Sequence, residues 1–121
     1  MRHFLCGMAN GCDLYFAEAV LALREKLPDI TLEAAIPWEG QAEGWTAAQR
    51  ERYAAIRARC DYETVVSACY TPDCLVRRNR YLVDSSSLLI AAYSGAAGGT
   101  RSTMLYAMRR DVEIYEIMID E

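Results

Sequence analysis

Short apolar runs alternate along this chain with longer segments in which apolar residues recur at helical spacing. The apolar runs predict five strands, over residues 3–8, 31–36, 63–68, 87–93 and 113–119. The periodic segments predict four helices, over residues 14–27, from 46 onward, 72–83 and 100–110. Such alternation implies right-handed crossovers and a mostly parallel sheet of about five strands with helices on both faces. With 121 residues, the chain is expected to form a single α/β domain.

Two helix starts carry recognisable capping residues. Asp13 is expected to cap the first helix with its carboxylate. Thr46 is expected to cap the second, with Gln49 completing a capping box three residues later.

Two glycine-containing loops each connect a predicted strand to a predicted helix. The first reads LCGMANGCD over residues 5–13, and the second reads YSGAAGGT over residues 93–100. In a parallel sheet both loops emerge at the carboxyl ends of strands, and the free N–H groups of each helix N-terminus favour an anion. Two such loops on one edge predict a site for a phosphorylated small molecule of the nucleotide type.

Each loop also has an interpretation without a ligand. Gly7 and Gly11 are equally consistent with a tight turn that needs positive φ. The second loop favours a ligand more strongly, because Gly98 and Gly99 would expose consecutive N–H groups beside the Thr100 hydroxyl. A flexible turn followed by an N-cap remains the alternative there.

The third predicted helix is rich in arginine. Arg77, Arg80, Tyr81 and Asp84 share one face at helical spacing. One interpretation uses arginine as a clamp for phosphate or carboxylate. The other is an ordinary ion pair between Arg80 and Asp84, one turn apart.

Three aromatic residues surround the second strand and helix. Trp38, Trp45 and Tyr53 could stack on the ring of a ligand, but large aromatic side chains at such junctions more often belong to the core.

The composition restricts the class of function. A hydrophobic fraction of 53% supports a real core, and a net charge of −4 disfavours broad binding to nucleic acid. No segment approaches the roughly 20 apolar residues needed to span a membrane. The first residues are too short an apolar run for a signal peptide. These features together predict a soluble cytoplasmic protein.

Cysteine and histidine usage argues against several chemistries. Five cysteines without a C-x-x-C pair, and a single histidine, predict reduced, mostly buried thiols and no metal site. His3 lies at the wrong end of its strand to act as a base at the carboxyl edge. There is no Walker loop for ATP hydrolysis.

Several motifs, taken in order, resemble one known family. The segment CGMANGCD over residues 6–13, followed by Ala17 and Glu18, resembles the "SGGALGVD…AAE" segment of YpsA-like proteins. Further matches follow in order at Pro37, Gln41, Trp45, Tyr53, residues 60–62, residues 78–84 and residues 98–100. The resemblance covers nearly the whole chain.

The resemblance implies membership of the SLOG superfamily, which includes DprA and the LOG enzymes, and hence a Rossmann-like three-layer sandwich. It implies binding or sensing of a nucleotide-type ligand, such as NAD, ADP-ribose or a nucleoside monophosphate, with no required cofactor. The ligand-binding residues it implies are Gly7, Met8, Gly11, Asp13, Arg78, Asn79, Gly95, Gly98, Gly99 and Thr100. Two alternatives stay open: a LOG-like N-glycosidic phosphoribohydrolase, and a DprA-like or protein-interaction module without catalysis.

One departure from the relatives bears on catalysis. LOG phosphoribohydrolases resemble "PGGxGTxxE", with a glutamate that assists cleavage of the glycosidic bond. Residues 100–104 read TRSTM here and contain no carboxylate. Glu18 or Asp84 could substitute, so the sequence does not decide whether the protein is an enzyme.

The second departure is at the start of the chain. The relatives begin with another strand and helix, and this chain matches from their second strand. Because the missing strand is central in the usual order, its loss leaves backbone groups without partners. We therefore expect a homo-oligomer in which another chain fills the gap, with closing of the sheet or a gene start assigned too late as alternatives.

Overall fold

The computed structural model describes residues 2–93, 95 and 98–118. The elements are β1 (His3–Cys6), α1 (Cys12–Lys26), β2 (Thr31–Trp38), α2 (Ala47–Arg59), β3 (Tyr62–Ser67), α3 (Cys74–Asp84), β4 (Leu88–Tyr93), α4 (Gly99–Arg109) and β5 (Glu113–Met118). Every predicted strand and helix is present with closely similar bounds. Residue 119, the predicted end of the last strand, and residues 94, 96 and 97 of the second glycine loop lie outside the described residues.

All strand pairs are parallel, which confirms the predicted α/β class. The strands form two sheets, one in the order β1–β2–β3 and the other containing β4 and β5. Within the described residues, β1 pairs only with β2 and β4 only with β5, so each has one edge without a strand partner. Among the residues that the structure describes, no ladder joins these two groups of strands, so two sheets stand in place of the predicted single sheet of about five strands.

The two predicted helix caps have different outcomes. At α2, Thr46 Oγ1 accepts from the Gln49 N–H at 3.2 Å, and Gln49 Oε1 accepts from the Thr46 N–H at 3.0 Å, which confirms the capping box. The prediction for Asp13 is wrong, since Gly11 is the N-cap of α1 and no side chain caps it. Asp13 lies within the first turn and reaches back to accept from the Ala9 N–H at 3.1 Å.

The main core lies between α1, α2 and one face of the first sheet. It is built from the apolar stripe of α1, alternate residues of β2, and Tyr53 and Ile56 of α2. Leu14, Leu32 and Ile36 are completely buried there. Burying one such side chain stabilises the fold by roughly 1.5–3 kcal/mol relative to leaving it exposed.

Helix α3 links the two sheets. It contacts β2 and β3 of the first sheet and also packs against α4, which in turn contacts β4 and β5. Cys74 and Val83, near its two ends, are completely buried. Residues on α3 therefore connect the first glycine loop to the second half of the molecule.

Candidate functional site

The first glycine loop turns sharply between β1 and α1. Met8 has a φ of 58°, an unusual conformation for a residue with a side chain, and its side chain is completely buried. Gln41 Nε2 donates to the Met8 carbonyl at 3.0 Å and so ties this turn to the loop after β2. Met8 is completely buried, and its N–H and carbonyl bond to Cys6 Sγ and Gln41, so it holds the shape of the loop and presents no group at the surface.

Helix α1 begins at a glycine that leaves its N-terminus without a side-chain cap. Gly11 is exposed and has a φ of 98°, which favours glycine. Burial raises the pKa of the nearby Asp13 carboxyl, although the Ala9 N–H and the Arg78 guanidinium oppose this shift. Because Asp13 accepts from the Ala9 N–H, its carboxylate stabilises the loop that precedes the helix.

The Cys6 thiol in this loop is a structural group. Its sulfur donates to the Asp13 carbonyl at 3.0 Å and accepts from the Met8 N–H at 3.4 Å. Burial is the main cause that raises its pKa to about 12. Since the thiolate is the nucleophilic form, Cys6 is not suited to nucleophilic catalysis.

Arg78 lies beneath the first loop and is only 5% exposed. Its Nη1 donates to the Gly7 carbonyl, and its Nε donates to Asn79 Oδ1 at 2.8 Å. A Cβ at Gly7 would lie 2.9 Å from both Arg78 Nη1 and Asp13 Oδ2, so a side chain there would displace the guanidinium or the carboxylate. Arg78 therefore positions the loop, and desolvation in this setting lowers the pKa of its guanidinium.

The second glycine loop leads into α4 in a similar way. Gly95 and Gly98 have φ values of 94° and 154°, and Gly98 is the N-cap of α4 without a side-chain cap. Gly98, Gly99 and Thr100 are all exposed. The helix thus presents its first N–H groups at an open surface, as the sequence predicted for anion binding.

A groove of about 620 Å³ runs between α3 and α4. The described residues that line it are Val76, Asn79, Arg80, Gly99, Ser102, Thr103, Leu105, Tyr106, Met108 and Arg109. It brings together Asn79 and Gly99, which the sequence predicted from separate motifs. Asn79 also accepts from Arg78, so it connects this groove to the first loop.

Comparison with known proteins adds to this geometry. A model of the YpsA (YspA SLOG) family matches residues 1–120. The chain belongs to the YpsA family. It is 29% identical to a UPF0398 protein of Bacillus velezensis and 28% identical to the UPF0398 protein YpsA of Bacillus subtilis. Both matches cover 92% of this chain, but 65% and 66% of those relatives. A UPF0398 protein of Bacillus licheniformis is 27% identical, with 64% of it covered.

The ten residues predicted from the YpsA resemblance fall into three groups in the structure. Four surround the first loop: Gly7, Met8, Asp13 and Arg78. Asn79 and Gly99 line the groove. Gly11, Gly95, Gly98 and Thr100 are exposed around the two helix starts.

The three predicted aromatic residues belong to two different aromatic pairs in the structure. Trp45 and Tyr53 meet edge to face with ring centres 5.2 Å apart, and both pack in or against the core, as the alternative interpretation predicted. Trp38 packs instead against Tyr70, with ring centres 5.8 Å apart. Trp38 ends β2 and Tyr70 follows β3, so this pair lies at the carboxyl edge of the first sheet. Sequence reasoning missed Tyr70.

Arg80 and Asp84, which the sequence places on one face of α3, have different partners in the structure. Arg80 forms no ion pair with Asp84 among the described residues, and its guanidinium lies 5.1 Å from the ring centre of Tyr106 on α4. Asp84 instead accepts from the Tyr106 hydroxyl at 2.9 Å and pairs with Arg110 at 3.2 Å. The ion-pair interpretation for Arg80 and Asp84 is therefore wrong, because α4 supplies other partners for both.

A polar cluster on the first sheet was not predicted. Glu33, in the middle of β2, accepts from the Tyr81 hydroxyl and from Thr64 Oγ1, the latter at 3.1 Å. His3 Nε2 lies 3.3 Å from Glu33 Oε1. The available signal was a carboxylate within an apolar strand, since a buried charge requires partners.

The structure also bears on the candidate acid Glu18, on the cysteines and on membrane-spanning helices. Glu18, a candidate acid, is engaged by Arg52, whose Nε lies 3.1 Å from Glu18 Oε2. Cys6 and Cys74 are buried, Cys60 is half-buried, and Cys12 and Cys69 are exposed, so the prediction of mostly buried thiols is confirmed only for Cys6 and Cys74. No helix in the described part of the chain has the length and apolar character to cross a membrane.

Proposed function

We propose that this protein binds or senses a nucleotide-type small molecule, with NAD, ADP-ribose and nucleoside monophosphates as candidate ligands. The observation that carries the proposal is the pair of helices α1 and α4. Each follows a parallel strand, begins at a glycine with positive φ, and lacks a side-chain cap. Membership of the YpsA family supports a nucleotide-related role at the level of the family.

The residues of the site would have different roles in binding the ligand. The N–H groups at the start of α4, around Gly99, would hold a phosphate. Asn79 lines the same groove and offers an amide for a ribose or base edge. Arg78 and Asp13 would act indirectly, because they hold the first loop in its conformation.

Calorimetric titration of the full chain with AMP, NAD and ADP-ribose tests the proposal. Saturable binding in the micromolar range is the expected result. Gly99→Asp should weaken that binding about tenfold or more, since it places a carboxylate where a phosphate would lie. A Cβ at Gly99 meets nothing within 4 Å, so the variant is expected to fold.

Gly44→Asp is the matched control. A Cβ at Gly44 also meets nothing within 4 Å, and Gly44 lies in the loop before α2. Equal affinity for wild type and Gly99→Asp would reject the proposed pose. An absence of binding for all three ligands by the folded protein would reject the function.

Binding without turnover is part of the proposal. The first turn of α4 contains no acidic residue, and both Glu18 and Asp84 are occupied by arginine partners. We therefore expect no base to be released from AMP or NAD, as followed by chromatography. Release of base would establish instead the N-glycosidic hydrolase that the LOG relatives suggest.

We further propose that the protein is a cytoplasmic homo-oligomer. The open edges of β1 and β4 support association through added strands. The free cysteines of the chain support a reducing compartment. Size-exclusion chromatography with light scattering is expected to give a dimer or larger species, and a well-folded monomer at all concentrations would contradict this.

A further inference from the structure

Apolar side chains are exposed along the groove between α3 and α4. Val76, Leu105 and Met108 are 50%, 48% and 59% exposed, although all three line the same groove. Contiguous exposed apolar residues on a soluble domain commonly mark an interaction surface. The groove is open and has apolar side chains on both helices, which suits the apolar face of a polypeptide segment.

Two arginines add positive charge to this groove. Arg80 and Arg109 lie on α3 and α4, with their guanidinium carbons 5.1 Å and 6.0 Å from the ring centre of Tyr106. Within residues 2–93, 95 and 98–118, neither forms an ion pair, whereas Arg24, Arg52 and Arg57 do. None of the described residues that line the groove is acidic.

Tyr106 holds this arrangement in place. Its hydroxyl donates to the carboxylate of Asp84, with both oxygens at 2.9 Å. The charge of Asp84 is also matched by Arg110, whose Nε lies 3.2 Å from Oδ1. Asp84 therefore leaves the charges of Arg80 and Arg109 available. Tyrosine and arginine are the side chains that most often dominate binding energy at interfaces.

We propose that the α3–α4 groove binds an acidic amphipathic helix of a partner protein. The apolar face of that helix would pack on Val76, Leu105 and Met108, and its flanking carboxylates would pair with Arg80 and Arg109. The positive groove is complementary to such a segment and contrasts with the net charge of −4 of the whole chain. The groove also contains Asn79 and Gly99 of the proposed nucleotide site, but this inference depends on Val76, Leu105, Met108 and the two arginines and not on nucleotide binding.

Charge argues against two other occupants. A symmetric pair of copies joined groove to groove would place the arginines of both chains in one interface whose described lining contains no acidic residue to pair with them. A nucleic acid would meet only a small positive patch on an acidic protein.

Selection from a displayed library of random peptides of about 15 residues, four helical turns, tests the proposal without assuming a sequence. The full-length chain is the bait, and the Arg80→Glu, Arg109→Glu double variant is used for counter-selection. Enriched peptides are expected to have apolar residues at helical spacing flanked by Asp or Glu. Enrichment of basic peptides, or no enrichment over the double variant, would overturn the proposal.

Fluorescence polarisation with an enriched acidic peptide measures the contribution of each group. The double variant and Met108→Glu are each expected to weaken binding about tenfold or more. Arg50→Glu is the control, because Arg50 is exposed on α2 outside this groove. Equal losses in the control and the double variant would contradict the proposal. Failure of the peptide to bind, together with self-association that depends on Arg80 and Arg109, would also contradict the proposal. Binding of single-stranded DNA through the same two arginines, without peptide binding, would contradict it as well.

Discussion

Both sheets of this protein contain strands rich in apolar residues, but the surroundings of the two sheets are very different. Ile36 in β2 is completely buried, whereas Ile90 in β4 and Ile117 in β5 are 40% and 44% exposed. The first sheet has α1 and α2 packed on one face and α3 in contact with β2 and β3. The second sheet has α4 as its main cover, and most of β5 is exposed. An apolar run therefore predicts a strand more reliably than it predicts the depth at which that strand is buried.

The largest expected difference comes from the same substitution in both sheets. Ile36→Ala should lower the free energy of unfolding by about 3 kcal/mol, because it removes buried methyl groups and leaves a cavity. Ile117→Ala should cost less than about 1 kcal/mol, since that side chain remains partly in water. Urea denaturation of both variants measures the two changes. Equal losses of unfolding free energy in the two variants would show that Ile117 is as well buried in solution as Ile36.

Arg78 and Arg80 on α3 provide a second test, since one faces the first sheet and the other faces α4. Arg78→Ala should lower the free energy of unfolding by roughly 2 kcal/mol, because it leaves the Gly7 carbonyl without its buried donor. Arg80→Ala should cost only about 0.5 kcal/mol, the value typical of an exposed cation–π contact. Thermal and urea denaturation give both values. A larger loss of unfolding free energy for Arg80→Ala than for Arg78→Ala would mean that α3 is stabilised mainly by its contacts with α4.

The smallest expected effect concerns a carboxylate in each half. Asp61 accepts from the Leu32 N–H at 2.9 Å and from Arg24 Nη1 at 2.8 Å, whereas Asp84 accepts from Tyr106 and Arg110 at the surface. Asp61→Ala should lower the free energy of unfolding by about 1 kcal/mol at neutral pH, and Asp84→Ala by less. Urea denaturation of both variants checks this order.

The pH dependence of the Asp61 variant provides the internal control. The Leu32 N–H first, and the Arg24 guanidinium second, hold the pKa of Asp61 below its usual range. A lowered pKa means that the stabilisation is present at pH values above the ordinary aspartate pKa of about 4 and is lost as the pH falls below it. The difference between wild type and Asp61→Ala should therefore shrink on acidification. A difference independent of pH would show that the carboxylate charge does not contribute.

Much of the candidate site could be predicted from local sequence, but the contacts between residues distant along the chain could not. Glycine at positions 7, 11 and 98 marked the two helix starts, because few other residues allow the positive φ of Gly11 and Gly98 or the close contacts at Gly7. The role of Arg78 beneath Gly7 could not be predicted, because the two residues are distant along the chain. Glu33 shows the same limit, since its partners lie on three other elements.

The sequence by itself determined the order of strands and helices, the parallel α/β class, the capping box at Thr46 and the family. These features depend on periodicity, turn residues and motif order, which are properties of neighbouring residues. Only the tertiary structure decided that the strands form two sheets, that Asp13 supports a loop instead of capping α1, and that Arg80 turns toward Tyr106. Each of these depends on which distant segment packs alongside, and the free energy of such packing is not encoded in any local pattern.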